Sequence, residues 1–157
     1  MKHLRLATRE DIPVLLTFAK HFHKASPYRT MKFDVHKGTE LLKGIIEGSL
    51  FDHVCLVALK DDKPIGFLVG AASQPVFSSS KIAMELGWWI EPEMRRTKVS
   101  FLIYKAYEDW ALRIGCSYVQ GAYLPGVSPD LDEFYKKRGY FQVESSYMKT
   151  LNLKGVL

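Results

Sequence analysis

The sequence has few cysteines, no long apolar run and no apolar leader. Cys55 and Cys116 are too few for a disulfide framework, and both lie in apolar, strand-like stretches, so we expect inert buried thiols. No apolar run approaches the roughly 18 residues that span a membrane. The N-terminus lacks the charged-then-apolar pattern of a secretion signal. We therefore expect a cytoplasmic protein with no membrane partner.

The composition that remains is typical of one globular domain. A chain of 157 residues, 47% hydrophobic, can bury a real core, so we expect a single domain over residues 1–157. The formal charge of +5 suits an anionic ligand and would also suit nucleic acid. The sequence contains no zinc-finger spacing, Walker loop or aromatic-basic RNA motif, which disfavours a nucleic-acid partner.

The central stretch, from Lys81 to Gly115, predicts a strand, a turn and a long helix. The strand ends at Ile90, and residues 91–94 make the turn. One apolar helix face recurs at steps of three or four: Val99, Ile103, Ala106, Trp110 and Ile114. Gly115 then supplies a C-terminal stop.

The start of this helix is basic, with Arg95, Arg96 and Lys98. A helix N-terminus carries about half a positive charge and exposed N–H groups, so cations there are unfavourable unless an anion binds. A strand, a turn and a cationic helix start therefore predict an anion site, most naturally for a phosphate or pyrophosphate. The alternative is a solvated basic helix start without a ligand.

The same segment resembles the acyl-CoA-binding signature of the GNAT superfamily of N-acetyltransferases. Ile90-Glu91-Pro92 matches its strand end of aliphatic-x-Pro, and residues 95–100 match Gln/Arg-x-x-Gly-x-Gly/Ala in length, leading Arg and small last residue. The chain departs at Lys98, where the family usually has a Gly that lets the backbone approach phosphate closely. The charge of a Lys can partly compensate for that loss.

The resemblance implies an α/β (α+β) fold with a mixed, mostly antiparallel sheet of about six to seven strands and about four flanking helices. The fourth and fifth strands would run parallel and splay into a V that holds acetyl-CoA. The backbone at Trp89 and Ile90 would hold the pantetheine arm and polarise the thioester carbonyl. The residues expected to contact the cofactor are Trp89, Ile90, Arg95, Arg96, Thr97, Lys98, Val99, Ser100 and Ser128.

The rest of the chain predicts a strand–helix opening, a second helix, an antiparallel hairpin and a late strand–helix–strand. The expected elements are a strand His3–Ala7, a helix capped by Thr8 and Asp11 and ending near Ala25, a helix from Asp34 to Gly48, strands Val54–Leu59 and Pro64–Ala72, a strand Tyr118–Tyr123, a helix from Pro129 capped by Ser128 and ending at Gly139, and a strand Gln142–Leu153.

In the family, residues around the first two helices commonly bind the acceptor. That zone carries His21, His23, Tyr28, Arg29 and His36. The spacing of the three histidines matches no compact metal site, so we expect surface or substrate-lining histidines and no metal.

Phe134–Tyr140 resembles the late family motif Tyr-x-x-x-Gly-Phe, with Tyr135 in the tyrosine position and Tyr140 in place of the Phe. The resemblance implies that Tyr135 protonates the departing thiolate of CoA. A phenol with a pKa of about 10 can do so, because thiol and phenol acidities are close. The alternative is that Tyr135 is half-buried packing.

Glu85 is the candidate base that would take a proton from the amine. Strand alternation places Glu85, Gly87 and Trp89 on one face, although a bulge, common in this strand of the family, would flip that assignment. An apolar, Trp-rich setting would raise the pKa of its carboxyl. The alternative is a solvent-facing Glu at a sheet edge.

Together these features predict an acetyltransferase that moves an acetyl group from acetyl-CoA directly to a primary amine of a small molecule or a protein. The departure at Lys98 supports an alternative, a degenerate domain that binds acyl-CoA or a protein partner without catalysis. Exposed strands near the C-terminus would allow a homodimer.

Overall fold

A five-stranded mixed sheet in the order β1-β2-β3-β4-β5 forms the centre of the computed structural model, which describes residues 3–124 and 130–151. The strands are β1 Leu4–Leu6, β2 His53–Lys60, β3 Lys63–Ser73, β4 Ile82–Ile90 and β5 Tyr118–Gln120. The α-helices are α1 Ile12–Ala25, α2 Val35–Ile46, α3 Lys98–Arg113 and α4 Leu131–Lys137. β1 to β4 pair antiparallel, whereas β5 runs parallel to β4. The predicted α/β fold class is confirmed.

Helices cover both faces of the sheet, and each face has its own core. On one face α3 and α4 pack against alternate residues of β2 to β4, with Leu68, Tyr104 and Tyr107 fully buried. On the other face α1 and α2 pack against the intervening residues, with Leu15 and Val57 at the centre. Residues 91–97 join β4 to α3 and therefore cross one end of the sheet. They include the basic loop, which carries Arg95 and Arg96.

A capping box begins the 3-10 turn Arg9–Asp11 that leads into α1, and a side-chain cap begins α2 directly. The Asp11 carboxylate accepts a hydrogen bond from the Thr8 backbone N–H at 2.8 Å, as the capping-box pattern predicts. Asp34 caps α2, because its Oδ1 accepts from the Lys37 N–H at 3.0 Å. Both helix boundaries are close to those predicted.

β4 and β5 separate after three paired residues. Ile82–Met84 pair with Tyr118–Gln120, but β4 continues to Ile90, and no described residue pairs with that edge of β4 beyond Met84. The register with β3 skips Leu86, since Val69 pairs with Gly87 and Gly70 with Glu85. This bulge bends β4 where the two parallel strands diverge. The predicted splay between the fourth and fifth strands is present.

The sheet is smaller than predicted, and its last expected strand does not form within the described residues. Residues 142–151 are exposed and irregular, and the polar run of Glu144, Ser145 and Ser146 interrupts the alternation that a strand would need. β5 stops at Gln120 rather than at Tyr123, because its partner β4 has diverged. Asp130 occupies the N-cap position of α4, while Ser128 and Pro129 lie outside the described residues.

Both cysteines are buried, as predicted, and burial raises the pKa of the Cys55 thiol to about 12. A thiol with that pKa stays protonated and unreactive at neutral pH. Within the described ranges, no helix combines the length and the apolar character needed to cross a membrane.

Gly70→Ala is expected to destabilise the protein by about 1–3 kcal/mol, because a Cβ there would lie 2.6 Å from the buried Tyr107 ring. Gly87→Ala on the neighbouring strand is the matched control, since its Cβ would lie 3.8 Å from Phe22, in ordinary contact. Urea unfolding of the two variants checks this. Equal midpoints would show that α3 is not seated on β3 at Gly70.

Candidate active site

The bulge in β4 decides which way Glu85 faces. Tyr135 of α4 contacts the Glu85 carboxylate, and Trp88 packs on Tyr104 of α3 at 4.9 Å, so Glu85 and Trp88 share the α3/α4 face. Gly87 and Trp89 face α1 instead. Strict alternation, which grouped Glu85 with Gly87 and Trp89, is therefore wrong, because the extra residue Leu86 reverses the phase.

Glu85 and Tyr135 form the hydrogen-bonded pair at this point of the fold. The Tyr135 hydroxyl lies 3.0 Å from Glu85 Oε2 and 3.3 Å from the Ala122 carbonyl oxygen, and can donate to either. The Ala122 N–H donates to the same carboxylate oxygen at 3.4 Å. Burial raises the pKa of Glu85 to about 7, although the hydrogen bonds from Tyr135 and Ala122 act to lower it. A carboxyl with that pKa can gain or lose a proton near neutral pH.

Aromatic rings surround this pair and hold Tyr135 in place. Its ring centroid lies 5.6 Å from that of Tyr104 and 5.2 Å from that of Tyr140. Burial, followed by the nearby charge of Glu85, raises the pKa of Tyr135 well above its ordinary value, so the phenol remains protonated and is a weaker acid than the phenol of ordinary pKa assumed from the sequence. Gly121 makes room for these rings, because a Cβ there would lie 2.1 Å from the Tyr104 hydroxyl.

α4 is tied to α3 through Glu108. The Tyr140 hydroxyl donates to Glu108 Oε1 at 2.9 Å, and Arg138 forms an ion pair with the same carboxylate. These contacts fix the end of the helix that carries Tyr135.

Sequence reasoning missed Tyr104 and Glu108 as residues of this site, and Tyr107 as a buried neighbour of Tyr104. The predicted apolar face of α3 ran through Val99, Ile103, Ala106, Trp110 and Ile114, but the buried face is rotated toward Tyr104, Tyr107 and Ala111. Tyr107 lies four positions after Ile103 and three before Trp110, and Tyr104 lies three before Tyr107, so the same helical spacing could have found both tyrosines. The partnership of Glu108 with α4 left no signal in the sequence.

The two arginines of the basic loop and Lys98, the first residue of α3, have different surroundings. Arg95 folds back, donating from Nε to the Ile90 carbonyl at 2.9 Å and stacking 4.5 Å from the Trp89 ring centroid. Arg96, whose backbone has a left-handed φ of +60°, pairs with Asp130 at the start of α4. Lys98 is exposed as the first residue of α3.

The first turn of α3 has no side-chain cap. The hydroxyl of Thr97, the N-cap residue, donates to the Met94 carbonyl at 2.7 Å instead of accepting from the helix. The Ser100 N–H already donates to the Thr97 carbonyl at 3.1 Å, whereas the N–H groups of Lys98 and Val99 have no acceptor among the described residues and can bind water or an anion. Residues 97–100 lie at this end of β4, and their predicted contact with the cofactor stays a prediction; Ser128 lies outside the described residues.

The histidines of the first two helices do not converge. His21 Nδ1 lies 3.5 Å from Glu91 Oε1, and its ring lies 5.7 Å from that of Trp89. His23 packs edge-on against Phe33 at 5.4 Å. Across residues 3–124 and 130–151, no three His, Cys, Asp or Glu side chains are grouped closely enough to hold a metal ion.

Comparison with known proteins identifies the family. Residues 20–140 match the model of the acetyltransferase (GNAT) family, and the chain belongs to it. No curated protein sequence matches the chain significantly. The resemblance to the GNAT superfamily, which was inferred from the segment between Ile90 and Ser100, is therefore confirmed.

Solved structures share the fold at low identity. AAC(6')-Iy in complex with the bisubstrate analogue CoA-S-monomethyl-acetylneamine superposes with a TM-score of 0.75 at 14% identity, covering 95% of this chain and 97% of that one. The ribosomal-protein-alanine N-acetyltransferase of Brucella melitensis biovar Abortus gives 0.72 at 15%, with 96% and 100% coverage. An aminoglycoside acetyltransferase from an uncultured soil metagenomic sample, in complex with sisomicin, gives 0.70 at 15%, with 95% of each chain covered.

Proposed function

We propose that this protein transfers the acetyl group of acetyl-CoA directly to a primary amine, with Glu85 as the base and Tyr135 as the acid. The observation that carries the proposal is the 3.0 Å hydrogen bond between these two side chains, next to the point where β4 and β5 separate. A carboxyl that titrates near neutrality beside a protonated phenol provides both proton transfers that acyl transfer to an amine needs.

The proton transfers of the proposed reaction balance between Glu85 and Tyr135. Bound acetyl-CoA supplies the acyl carbon, to which the amine nitrogen bonds as the carbon–sulfur bond breaks, giving an amide and the CoA thiol. Glu85 accepts the proton that the amine nitrogen loses, directly or through one water. Tyr135 donates its proton to the departing sulfur. Glu85 then returns a proton to Tyr135 across their hydrogen bond, which restores both groups.

The loop before α3 is the part of the chain that fits a diphosphate. The uncapped first turn of α3 offers N–H groups, and Arg96 and Lys98 add positive charge beside it. A left-handed Arg96 is the kind of backbone feature found at ligand sites. The backbone of Thr97, Val99 and Ser100 would hold the diphosphate.

At the C-terminal end of β4, Trp89 and Ile90 would hold the pantetheine arm. The Ile90 carbonyl already accepts a hydrogen bond from Arg95, so that contact must be shared or exchanged on binding.

Replacing Arg95 and Arg96 together by Ala is expected to weaken acetyl-CoA binding roughly tenfold or more, because two charges beside the anion site are lost. Calorimetry at two salt concentrations measures this, and the loss should be larger at low salt. Lys105→Ala removes a cation of α3 that is paired with Asp109, and is the control. Equal affinity in the double variant would remove the basic loop from the cofactor site.

The proposed activity is tested by thiol release from acetyl-CoA in the presence of primary amines. Amine-dependent release with formation of the acetylated amine is the expected result. The alternative, a domain that binds acyl-CoA without catalysis, is favoured by Lys98 and by the contacts that Arg95 and Arg96 already make. Tight acetyl-CoA binding with no amine-dependent release from a broad panel would favour that alternative.

A further inference from the structure

Tyr104 of α3 is fully buried, and its hydroxyl has no hydrogen-bond partner among the described residues. A buried hydroxyl without a partner lowers stability, because it gives up its hydration and gains no hydrogen bond in return. A phenylalanine ring would fill the same space without that loss. The hydroxyl of Tyr104 therefore does not serve the packing of α3, and its position shows what it can serve instead.

The hydroxyl of Tyr104 lies beside the phenol of Tyr135. A Cβ at Gly121 would be 2.1 Å from the Tyr104 hydroxyl oxygen and 2.6 Å from Cζ of Tyr135, the ring carbon that carries its oxygen. Both phenol groups therefore approach the same point of the chain, just after β5. The ring centroids lie 5.6 Å apart at an interplanar angle of 64°, so the two rings meet edge to face rather than in a stack.

Neighbouring rings hold Tyr104 in this place. Trp88 packs against it with 4.9 Å between the ring centroids, and Tyr107 with 5.5 Å. The hydroxyls of two nearby tyrosines are engaged elsewhere, since Tyr107 donates to a backbone carbonyl of β5 at 3.2 Å and Tyr140 donates to Glu108 Oε1 at 2.9 Å. Within the part of the chain described, the hydroxyl of Tyr104 is therefore the uncommitted donor of this group of rings.

Tyr104 is suited to donate a hydrogen bond and unsuited to exchange a proton. Burial, followed by the charge of Glu85, raises the pKa of its phenol far above the ordinary value, so the hydroxyl stays protonated. The same two causes raise the pKa of Tyr135, but there the Tyr104 hydroxyl acts in the opposite direction. A donor that faces an anionic oxygen has this effect, because it stabilises the charged form.

We infer that Tyr104 is a positioning residue for the proposed acid, and that its hydroxyl donates a hydrogen bond to the Tyr135 oxygen while that oxygen is a phenolate. This inference rests on the proposed function. Tyr135 gives its proton to the departing sulfur, and its oxygen then carries the negative charge until Glu85 returns a proton. Tyr104 neither gains nor loses a proton in this sequence. Its hydrogen bond forms only when the charge is present, so it lowers the barrier without stabilising the resting protein.

Tyr104→Phe is expected to lower kcat for thiol release from acetyl-CoA at least about tenfold, because a hydrogen bond to a buried anion is lost. The assay uses the best acceptor in the amine panel. Acetyl-CoA affinity, measured by calorimetry, should stay within about twofold. The urea midpoint should equal that of the wild type or exceed it, because the hydroxyl that is removed has no partner in the resting protein.

Tyr107→Phe, three residues further along α3, is the matched control. Its hydroxyl donates to the Gln120 carbonyl in the resting protein, so its loss should lower the urea midpoint and leave kcat within about threefold. The two variants should therefore show opposite patterns. Tyr104→Phe loses activity and keeps its stability, whereas Tyr107→Phe keeps activity and loses stability.

A double-mutant cycle with Tyr135→Phe tests whether Tyr104 acts through Tyr135. If the Tyr104 hydroxyl serves only the Tyr135 oxygen, adding Tyr104→Phe to Tyr135→Phe should lower kcat by less than about twofold further. A packing effect would instead multiply, and the double variant would lose the full factor of each single variant.

Failure of this inference and failure of the proposed function are distinguishable. The absence of thiol release by the wild type with any amine would reject the function and, with it, the role of Tyr104. Release by the wild type with an unchanged kcat in Tyr104→Phe would overturn the inference and keep the activity. A kcat loss accompanied by a lower urea midpoint, by failure to fold or by an undiminished effect in the Tyr135→Phe background would assign Tyr104 to packing, which also overturns the inference.

Discussion

Tyr135→Phe is expected to lower kcat by about 10²–10³-fold while acetyl-CoA affinity stays within about twofold. The ring is buried, and its contacts with Tyr104 and Tyr140 do not need the hydroxyl, so the packing should survive. What is lost is the proton donor to sulfur and the group through which Glu85 returns its proton. Steady-state thiol release gives kcat, and calorimetry gives the affinity.

Tyr107→Phe is the matched control for that variant. Tyr107 is equally buried on α3, but its hydroxyl donates to the Gln120 carbonyl at 3.2 Å and not to Glu85. Its loss should cost about 1 kcal/mol of stability and leave kcat within roughly threefold. An unchanged kcat in Tyr135→Phe would remove the acid role, and equal losses in both variants would reduce Tyr135 to packing.

Glu85→Gln is expected to remove a break near pH 7 from the pH dependence of kcat/KM. Burial raises the pKa of Glu85 to about 7, and only the carboxylate can accept a proton, so wild-type activity should fall as the pH drops below about 7. Gln keeps the shape and can still accept from Tyr135, but it cannot act as a base. We expect kcat/KM to fall by about 10²-fold at pH 8.

The acceptor itself also titrates, and the variant separates the two effects. An alkylammonium group has a pKa of about 10.4, so its deprotonation adds a rise at high pH in both proteins. The break near pH 7 should therefore vanish in Glu85→Gln while the high-pH rise remains. Glu144→Gln removes an exposed carboxylate near Gln120 and should leave the whole profile unchanged. A break near pH 7 that survives in Glu85→Gln would assign it to another group.

Much of the fold could be predicted because local patterns agreed with the final packing. The capping box at Thr8 and the stop at Gly115 each depend on contacts within a few residues. The late strand at residues 142–151 could not be judged in this way, because a strand needs a partner edge. β5 pairs with β4 alone among the described residues.

The sequence identified the individual candidate residues of the site, but it could not predict the contacts between them. The motif around Tyr135 and the position of Glu85 named both candidates, yet their contact spans 50 residues of sequence. It forms because Leu86 is bulged out, and this bulge is set by the register with Val69 and Gly70. For the same reason the sequence could not show that Arg95 lies on Trp89, since that contact depends on how the loop turns back over the strand.

We infer that the splay between β4 and β5 and the basic start of α3 form an acetyl-CoA site despite Lys98. Calorimetric titration of acetyl-CoA and of free CoA into the purified protein tests it most directly. We expect both ligands to bind with micromolar dissociation constants and one ligand per chain. The absence of binding at millimolar ligand would contradict the claim, and would mean that this domain has lost the cofactor site of its family.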